Sequence, residues 1–338
     1  MRKELILMAL LLLTTGCLIA QEVTPEKLGY KYIPFTYRND SVDILIKSKK
    51  GEENIAKPLF FFCQGSLPYP LIKYNSKNDF AYPVFPFDTD SIENDFHLVI
   101  VSKPYIPLVA DVSNLRNMRY LDERAPLNPK KYSDRNLLSY YVPRNIEIIK
   151  YLLRQPWVSD KKVVVAGHSE GSTIAAKMSS QLPLITHLIY ASGNPMGRIM
   201  SIIARGRAAQ SYNNDSETDV GQSDWDYWKS VVENKNSMDD SRGDTPRATY
   251  EFSEPCYQDI EALDIPVLIS YGTKDRCTPY IDYLQVDLIR KGKKNFRFDA
   301  YIGTEHNFFP VDEDNKPNYE IDNWNKVASD WLRWLNKN

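Results

Sequence analysis

Val163-Val-Val-Ala-Gly167-His168-Ser169-Glu170-Gly171-Ser-Thr-Ile-Ala-Ala-Lys177 reads as an apolar strand, a Gly-x-Ser-x-Gly turn and the start of a helix. A sharp strand-to-helix bend lifts the serine out of a sheet, and only small residues two before and two after it leave room for the bend. Gly167 and Gly171 occupy those places. The helix that follows would offer free backbone N–H groups and a positive dipole end to a developing oxyanion. A glycine-lined turn with an incidental serine is the plainer reading, but the strand before and the helix after favour a nucleophile.

Around this passage, strand-length apolar runs recur at Val42–Ile46, Leu59–Cys63, His97–Val101, Val163–Ala166, His187–Ala191, Val267–Tyr271 and Phe296–Ile302. Most are continuous rather than alternating, as in parallel strands covered on both faces. Helical patterns lie between them at Asp134–Leu153, Ser172–Gln181, Ile281–Lys291 and Tyr319–Leu335, and Pro143 is expected to kink or divide the first. The alternation predicts an α/β fold with a doubly wound, mostly parallel sheet. Residues 195–258 carry no clear strand and include an aromatic, helix-like piece at Ser223–Glu233. They are expected to form a helical cap inserted between two strands. A second long connection, Lys103–Ser133, follows the His97–Val101 run.

A serine nucleophile needs a base and an orienting acid. The chain has four histidines, at 97, 168, 187 and 306. His97 and His187 begin apolar runs and read as structural. His168 adjoins the serine and should point elsewhere. His306, in Gly303-Thr-Glu-His306-Asn, follows the last strand and is the candidate base. For the acid, Val267-Leu-Ile-Ser-Tyr-Gly272-Thr-Lys-Asp275 ends a strand in a turn that carries Asp275, whereas Ser192-Gly-Asn-Pro195 ends its strand without a carboxylate. Ser169, Asp275 and His306 are therefore the candidate catalytic residues.

The elbow Gly167–Gly171, the Gly272-x-x-Asp275-x-x-x-Pro279 segment and His306 resemble the α/β-hydrolase family over about residues 40–338, outside the insertion. The surroundings look most like dienelactone-hydrolase and prolyl-oligopeptidase-type catalytic domains. The resemblance implies that Ser169 is the nucleophile, Asp275 the orienting acid and His306 the general base. It also implies an oxyanion hole made from the N–H of Glu170 and an N–H in the turn Gln64-Gly65-Ser66-Leu67-Pro68, with Ser66 favoured and Gly65 next. Gln64 stands where many relatives have His, and the turn has one Gly rather than several.

Composition narrows the function. The 338 residues hold 42 Lys plus Arg against 44 Asp plus Glu, a net charge of −2, with 43% hydrophobic residues. The apolar content argues against a disordered chain, and the absence of a basic excess or stripe argues against a phosphate-gripping nucleic-acid binder. The near-neutral balance fits an uncharged acyl substrate, and no array of basic residues in 195–258 announces a phosphate or carboxylate on it. Trp225, Tyr227, Trp228, Tyr250 and Phe252 either line an acyl pocket or form the cap's own core. No metal or cofactor is expected.

The start of the chain is a targeting segment rather than part of the fold. Arg2 and Lys3 precede the apolar run Leu5–Leu13, far short of the roughly 20 residues that span a bilayer. Two exits are open. Thr15-Gly16-Cys17 resembles a lipoprotein cleavage site that would leave Cys17 lipidated, and ordinary cleavage after Ala20 would leave Gln21 first. The expected organisation is a signal peptide over residues 1–20 and one hydrolase domain over 21–338. Of the remaining cysteines, Cys63 reads as a core thiol, and a Cys256–Cys277 bridge is open.

The expected function is an exported serine hydrolase that cleaves an acyl ester through an acyl-enzyme. It would be periplasmic, tethered by a lipid or secreted, with contact to membrane through that lipid alone and none with nucleic acid. The alternatives are a serine peptidase, with Glu170 either meeting a substrate amine or sitting in solvent, and a non-catalytic binding protein on the same fold. A small acyl ester or a short peptide is the expected partner.

Overall fold

The computed structural model describes residues 23–212 and 220–338. The proposed leader and Cys17 lie outside the described residues. Eight strands form one sheet: β1 (Tyr30–Tyr37), β2 (Asp40–Lys47), β3 (Lys57–Cys63), β4 (His97–Val101), β5 (Val158–His168), β6 (His187–Ala191), β7 (Val267–Gly272) and β8 (Phe296–Tyr301). Their spatial order is β1-β2-β4-β3-β5-β6-β7-β8. β1 and β2 run antiparallel, as do β2 and β4, and the other pairs are parallel.

β1 escapes the apolar-run reading because it is an edge strand, half-exposed along most of its length, and contains Pro34. An edge tolerates the missing N–H. Arg38 and Asn39 both have positive φ, 50° and 68°, as a tight two-residue turn into β2 requires.

Helices cover both faces. α1 (Leu138–Leu152), α2 (Glu170–Gln181) and α7 (Thr278–Arg290) bury Ile148, Leu152, Ile174, Met178, Ile281 and Leu284 against one face. α8 (Trp324–Leu335) buries Trp324, Val327 and Trp331 against Phe60 and Phe62 on the other. Trp331 is fully buried and donates to Ser270 Oγ at 3.0 Å, so its polar edge is satisfied. Each such large side chain stabilises the fold by about 1.5–3 kcal/mol.

Two helix expectations need correction. Pro143 lies inside α1 without dividing it, and the helix begins at Leu138, after a separate short turn at Lys130–Ser133. Pro143 sits early in the helix, where its missing N–H costs one bond with Ser139 and leaves the later turns intact. α8 starts at Trp324 rather than Tyr319, because Asn318 and Asp322 hold turns through Glu320 N and Trp324 N.

Between β6 and β7, the described residues form four helices and no strand: α3 (Arg198–Tyr212), α4 (Val220–Glu233), α5 (Pro246–Phe252) and α6 (Tyr257–Glu261). The 103–133 connection carries short strands and is tied to this helical region by a two-pronged Arg124–Asp240 pair at 2.7 and 3.0 Å.

All three described cysteines are buried free thiols, so there is no Cys256–Cys277 bridge. Cys256 faces the Tyr190 hydroxyl and Cys277 faces Asn194 and Ser201, which places the two sulfurs in separate polar niches. Among the described residues, no helix is long and apolar enough to cross a membrane.

Candidate active site

β5 delivers Ser169 at its end and α2 begins one residue later. Ser169 has φ +58° and ψ −125°, a conformation that side chains rarely hold. The glycines explain how the bend closes. A Cβ on Gly167 would collide with the Gly171 carbonyl, and one on Gly171 would collide with the Cys63 carbonyl of β3. Ser169 N donates to Ala191 O at 3.0 Å, pinning the turn to β6.

The three sequence candidates meet. Ser169 Oγ lies 2.9 Å from His306 Nε2, and His306 Nδ1 lies 2.7 Å from Asp275 Oδ2. An ionised Asp275 can only accept, so Nδ1 carries the proton and Nε2 is left to accept from the serine hydroxyl. The loops carrying Asp275 and His306 touch because residue 272 is glycine: a Cβ there would strike the Thr304 and Glu305 carbonyls. Lys274 N donates to Thr304 O at 2.9 Å and Gly303 N to Thr273 Oγ1 at 2.9 Å, fastening the two loops.

Burial pulls the His306 pKa down, but the hydrogen bond and charge of Asp275, with Glu305 assisting, outweigh it and hold it above 6.5. Burial raises Asp275, but the bond and charge of His306, then the Cys277 N–H, hold its carboxyl below the usual range.

His168 does point away from the serine, as its position implied. Its Nε2–H donates to the His306 carbonyl at 3.0 Å, and its ring packs on Trp324 and Phe308. Burial, then the charge of His306, lowers its pKa to about 3, so it is a neutral prop beneath the base. No sequence signal names a carbonyl so far along the chain as its partner. His97 is structural as expected, with Nδ1 at 2.7 Å from Ser48 Oγ and Nε2 near the Ile55 and Trp157 carbonyls.

Glu170 is the first residue of α2, where a backbone N–H has no acceptor within the helix. Ser66 lines the same cavity as Ser169 and Glu170. Gly65 runs behind the nucleophile, where a Cβ would lie 3.4 Å from Ser169 Cβ. Gln64, the departure from His, donates from Nε2 to Val101 O at 2.8 Å and anchors the turn to β4.

The Glu170 side chain neither sits in solvent nor waits for a substrate amine. It is 6% exposed, paired with Arg198 and 3.6 Å from the buried Lys103. Arg198 begins α3 and also reaches Asp244 at 2.9 Å. Glu170, the residue after Ser169, therefore clamps the start of α3 to the elbow.

The cavity over Ser169 encloses about 810 Å³. α3 supplies Ser201, Ile202, Arg205 and Ala208 to its wall, and Val311 and Pro317 also line it. Of the five candidate aromatics Trp225, Tyr227, Trp228, Tyr250 and Phe252, Phe252 alone reaches this lining. Trp228 stacks on Tyr250 at 6.0 Å between ring centres, Tyr227 bonds Thr249, and Trp225 is exposed.

Residues 146–311, just short of half the chain, match the family described as BAAT / Acyl-CoA thioester hydrolase C terminal, a stretch that includes Ser169, Asp275 and His306. No curated protein matches the chain significantly. Among solved structures, it is similar to the Pyrococcus horikoshii acylaminoacyl peptidase, with TM-score 0.50 and 14% identity over 82% of this chain and 37% of that one. It is also similar to Porphyromonas gingivalis dipeptidyl peptidase 4, with TM-score 0.51 and 11% identity over 91% of this chain and 35% of that one. The chain thus spans little more than a third of either, and the likeness is one of fold.

Proposed function

We propose that this chain, which belongs to the α/β-hydrolase family, is a serine hydrolase that cleaves an acyl ester. The observation that carries the reading is the continuous relay Ser169–His306–Asp275, at 2.9 and 2.7 Å, opening into a cavity of about 810 Å³. His306 takes the hydroxyl proton as Ser169 Oγ attacks the carbonyl carbon. The oxyanion forms against the Glu170 and Ser66 N–H groups. His306 returns the proton to the leaving oxygen, then draws one from the water that attacks the acyl-enzyme. Asp275 keeps the imidazole in the accepting tautomer and stabilises its charged form.

An ester suits the site better than a peptide because Glu170, the carboxylate next to the nucleophile, is already engaged by Arg198. The matched family is named for thioester hydrolysis, which runs through the same tetrahedral chemistry, so a thioester belongs in the assay. The protein is exported on the strength of its first twenty residues, through either a Cys17 lipid or cleavage after Ala20.

A fluorophosphonate probe, followed by p-nitrophenyl ester, thioester and aminoacyl-amide assays, tests the reading. Labelling of wild type and none of Ser169→Ala is expected, with ester turnover. An unlabelled wild type refutes catalysis by serine, and amide turnover without ester turnover replaces the esterase with a peptidase.

A further inference from the structure

The charge in the cavity wall is distributed unevenly between partnered and unpartnered groups. Every carboxylate in the lining has a partner. Glu170 and Asp244 pair with Arg198, Asp275 with His306, and Asp314 with Lys316 at 3.4 Å. Glu305 Oε1 accepts from the backbone N–H groups of Asn307 and Phe309 at 2.8 and 3.1 Å. The basic side chains divide differently. Arg198 is consumed by its two acids. Arg205, Lys274 and Arg276 line the same cavity, are exposed, and among the described residues make no side-chain ion pair or hydrogen bond. They come from two distant places, α3 and the turn that carries Asp275.

We propose that Arg205, Lys274 and Arg276 form a binding site for a carboxylate on the substrate, so that the preferred ester carries one negative charge beyond its scissile bond. This rests on the serine-hydrolase reading of Ser169 and narrows its substrate class. The charge of the wall sets the limit. Arg205, Lys274 and Arg276 attract an anion locally, but with Arg198 the lining holds four cations against five carboxylates, so the site suits a single carboxylate and would repel a polyphosphate. Arg supplies planar two-pronged donors for a carboxylate, and Lys a mobile point charge. It departs from the sequence expectation of an uncharged substrate: of the three cations the 195–258 segment contributes Arg205, and the Asp275 turn contributes the other two.

The test reads binding separately from turnover. In the Ser169→Ala protein, calorimetry compares monomethyl glutarate, which carries one carboxylate, with uncharged dimethyl glutarate. The monoanion is expected to bind about tenfold or more tightly, the combined worth of a few partly solvated ion pairs. Combining Arg205→Gln, Lys274→Gln and Arg276→Gln should remove that preference, and added salt should weaken it without any mutation. Equal affinity for the two esters, or a preference that survives the triple substitution, overturns the proposal. Fluorophosphonate labelling of wild type, run in parallel, reports on the nucleophile alone. Carboxylate binding without labelling would refute the hydrolase reading and leave the anion site standing. Labelling without a carboxylate preference would do the opposite.

Discussion

The two walls of the cavity are held by different forces. The sheet-side wall, with Ser169, Asp275 and His306, is fixed by backbone contact: Gly167, Gly171 and Gly272 stand where any Cβ would strike a carbonyl. The helical wall from the insertion is fixed by side chains, chiefly Arg198 to Glu170 and Asp244, with Arg124 to Asp240 behind it. Close-packed backbone permits sub-ångström placement, which proton transfer requires. Side-chain clamps permit exchange of residues without loss of the fold. The relay residues and the inserted helices are therefore held by separate supports.

Substitutions on each side test that separation. Ser169→Ala should have the largest effect, a loss of about 10⁶ in kcat on a p-nitrophenyl ester with the unfolding midpoint preserved. Asp275→Asn should cost about 10⁴ in kcat. It should also move the acid limb of kcat/KM. Asp275 holds the His306 pKa above 6.5, so wild-type activity falls as pH drops through a value above 6.5, and removing that partner shifts the limb to lower pH. A limb that does not move would detach Asp275 from the base.

Glu170→Ala breaks the joint between the walls. It leaves Arg198 and the buried Lys103 without their shared acid, and urea unfolding should show about 3–5 kcal/mol lost. Gly171→Ala forces a methyl against the Cys63 carbonyl and should cost about 1–3 kcal/mol, with turnover falling as the elbow shifts. A cap-side change that touches neither wall joint should do least. Tyr227→Phe loses one hydrogen bond to Thr249, worth about 1 kcal/mol, with kcat retained. If Tyr227→Phe lowered kcat as far as Gly171→Ala, the two supports would not be separate.

Much of this was legible beforehand, for local reasons. β4 and β6 follow their apolar runs residue for residue, because a central parallel strand must be apolar on both faces. β1 was not legible, because an edge strand with one open side needs no such run. The elbow was legible because its glycine spacing is a local pattern: Gly167 answers to Gly171, four residues on, although Gly171 itself answers to Cys63 on the distant β3. The fate of the Glu170 side chain was not, since Arg198 and Lys103 lie far from it in the chain and the choice between solvent, substrate and ion pair depends on which helix crosses above.

The amino-acid sequence by itself determined the seven inner and far-edge strands of the sheet, the elbow and the identity of the three relay residues. Each follows from local sterics or from the short list of side chains able to move a proton. Only the tertiary structure decided that His168 props His306, that Phe252 rather than Trp225, Tyr227, Trp228 or Tyr250 reaches the cavity, and that Arg205 lines the same cavity as Lys274 and Arg276. Those outcomes depend on where distant segments cross. Charge acts through space rather than along the chain, so a basic cluster drawn from α3 and the Asp275 turn leaves no run of basic residues to read.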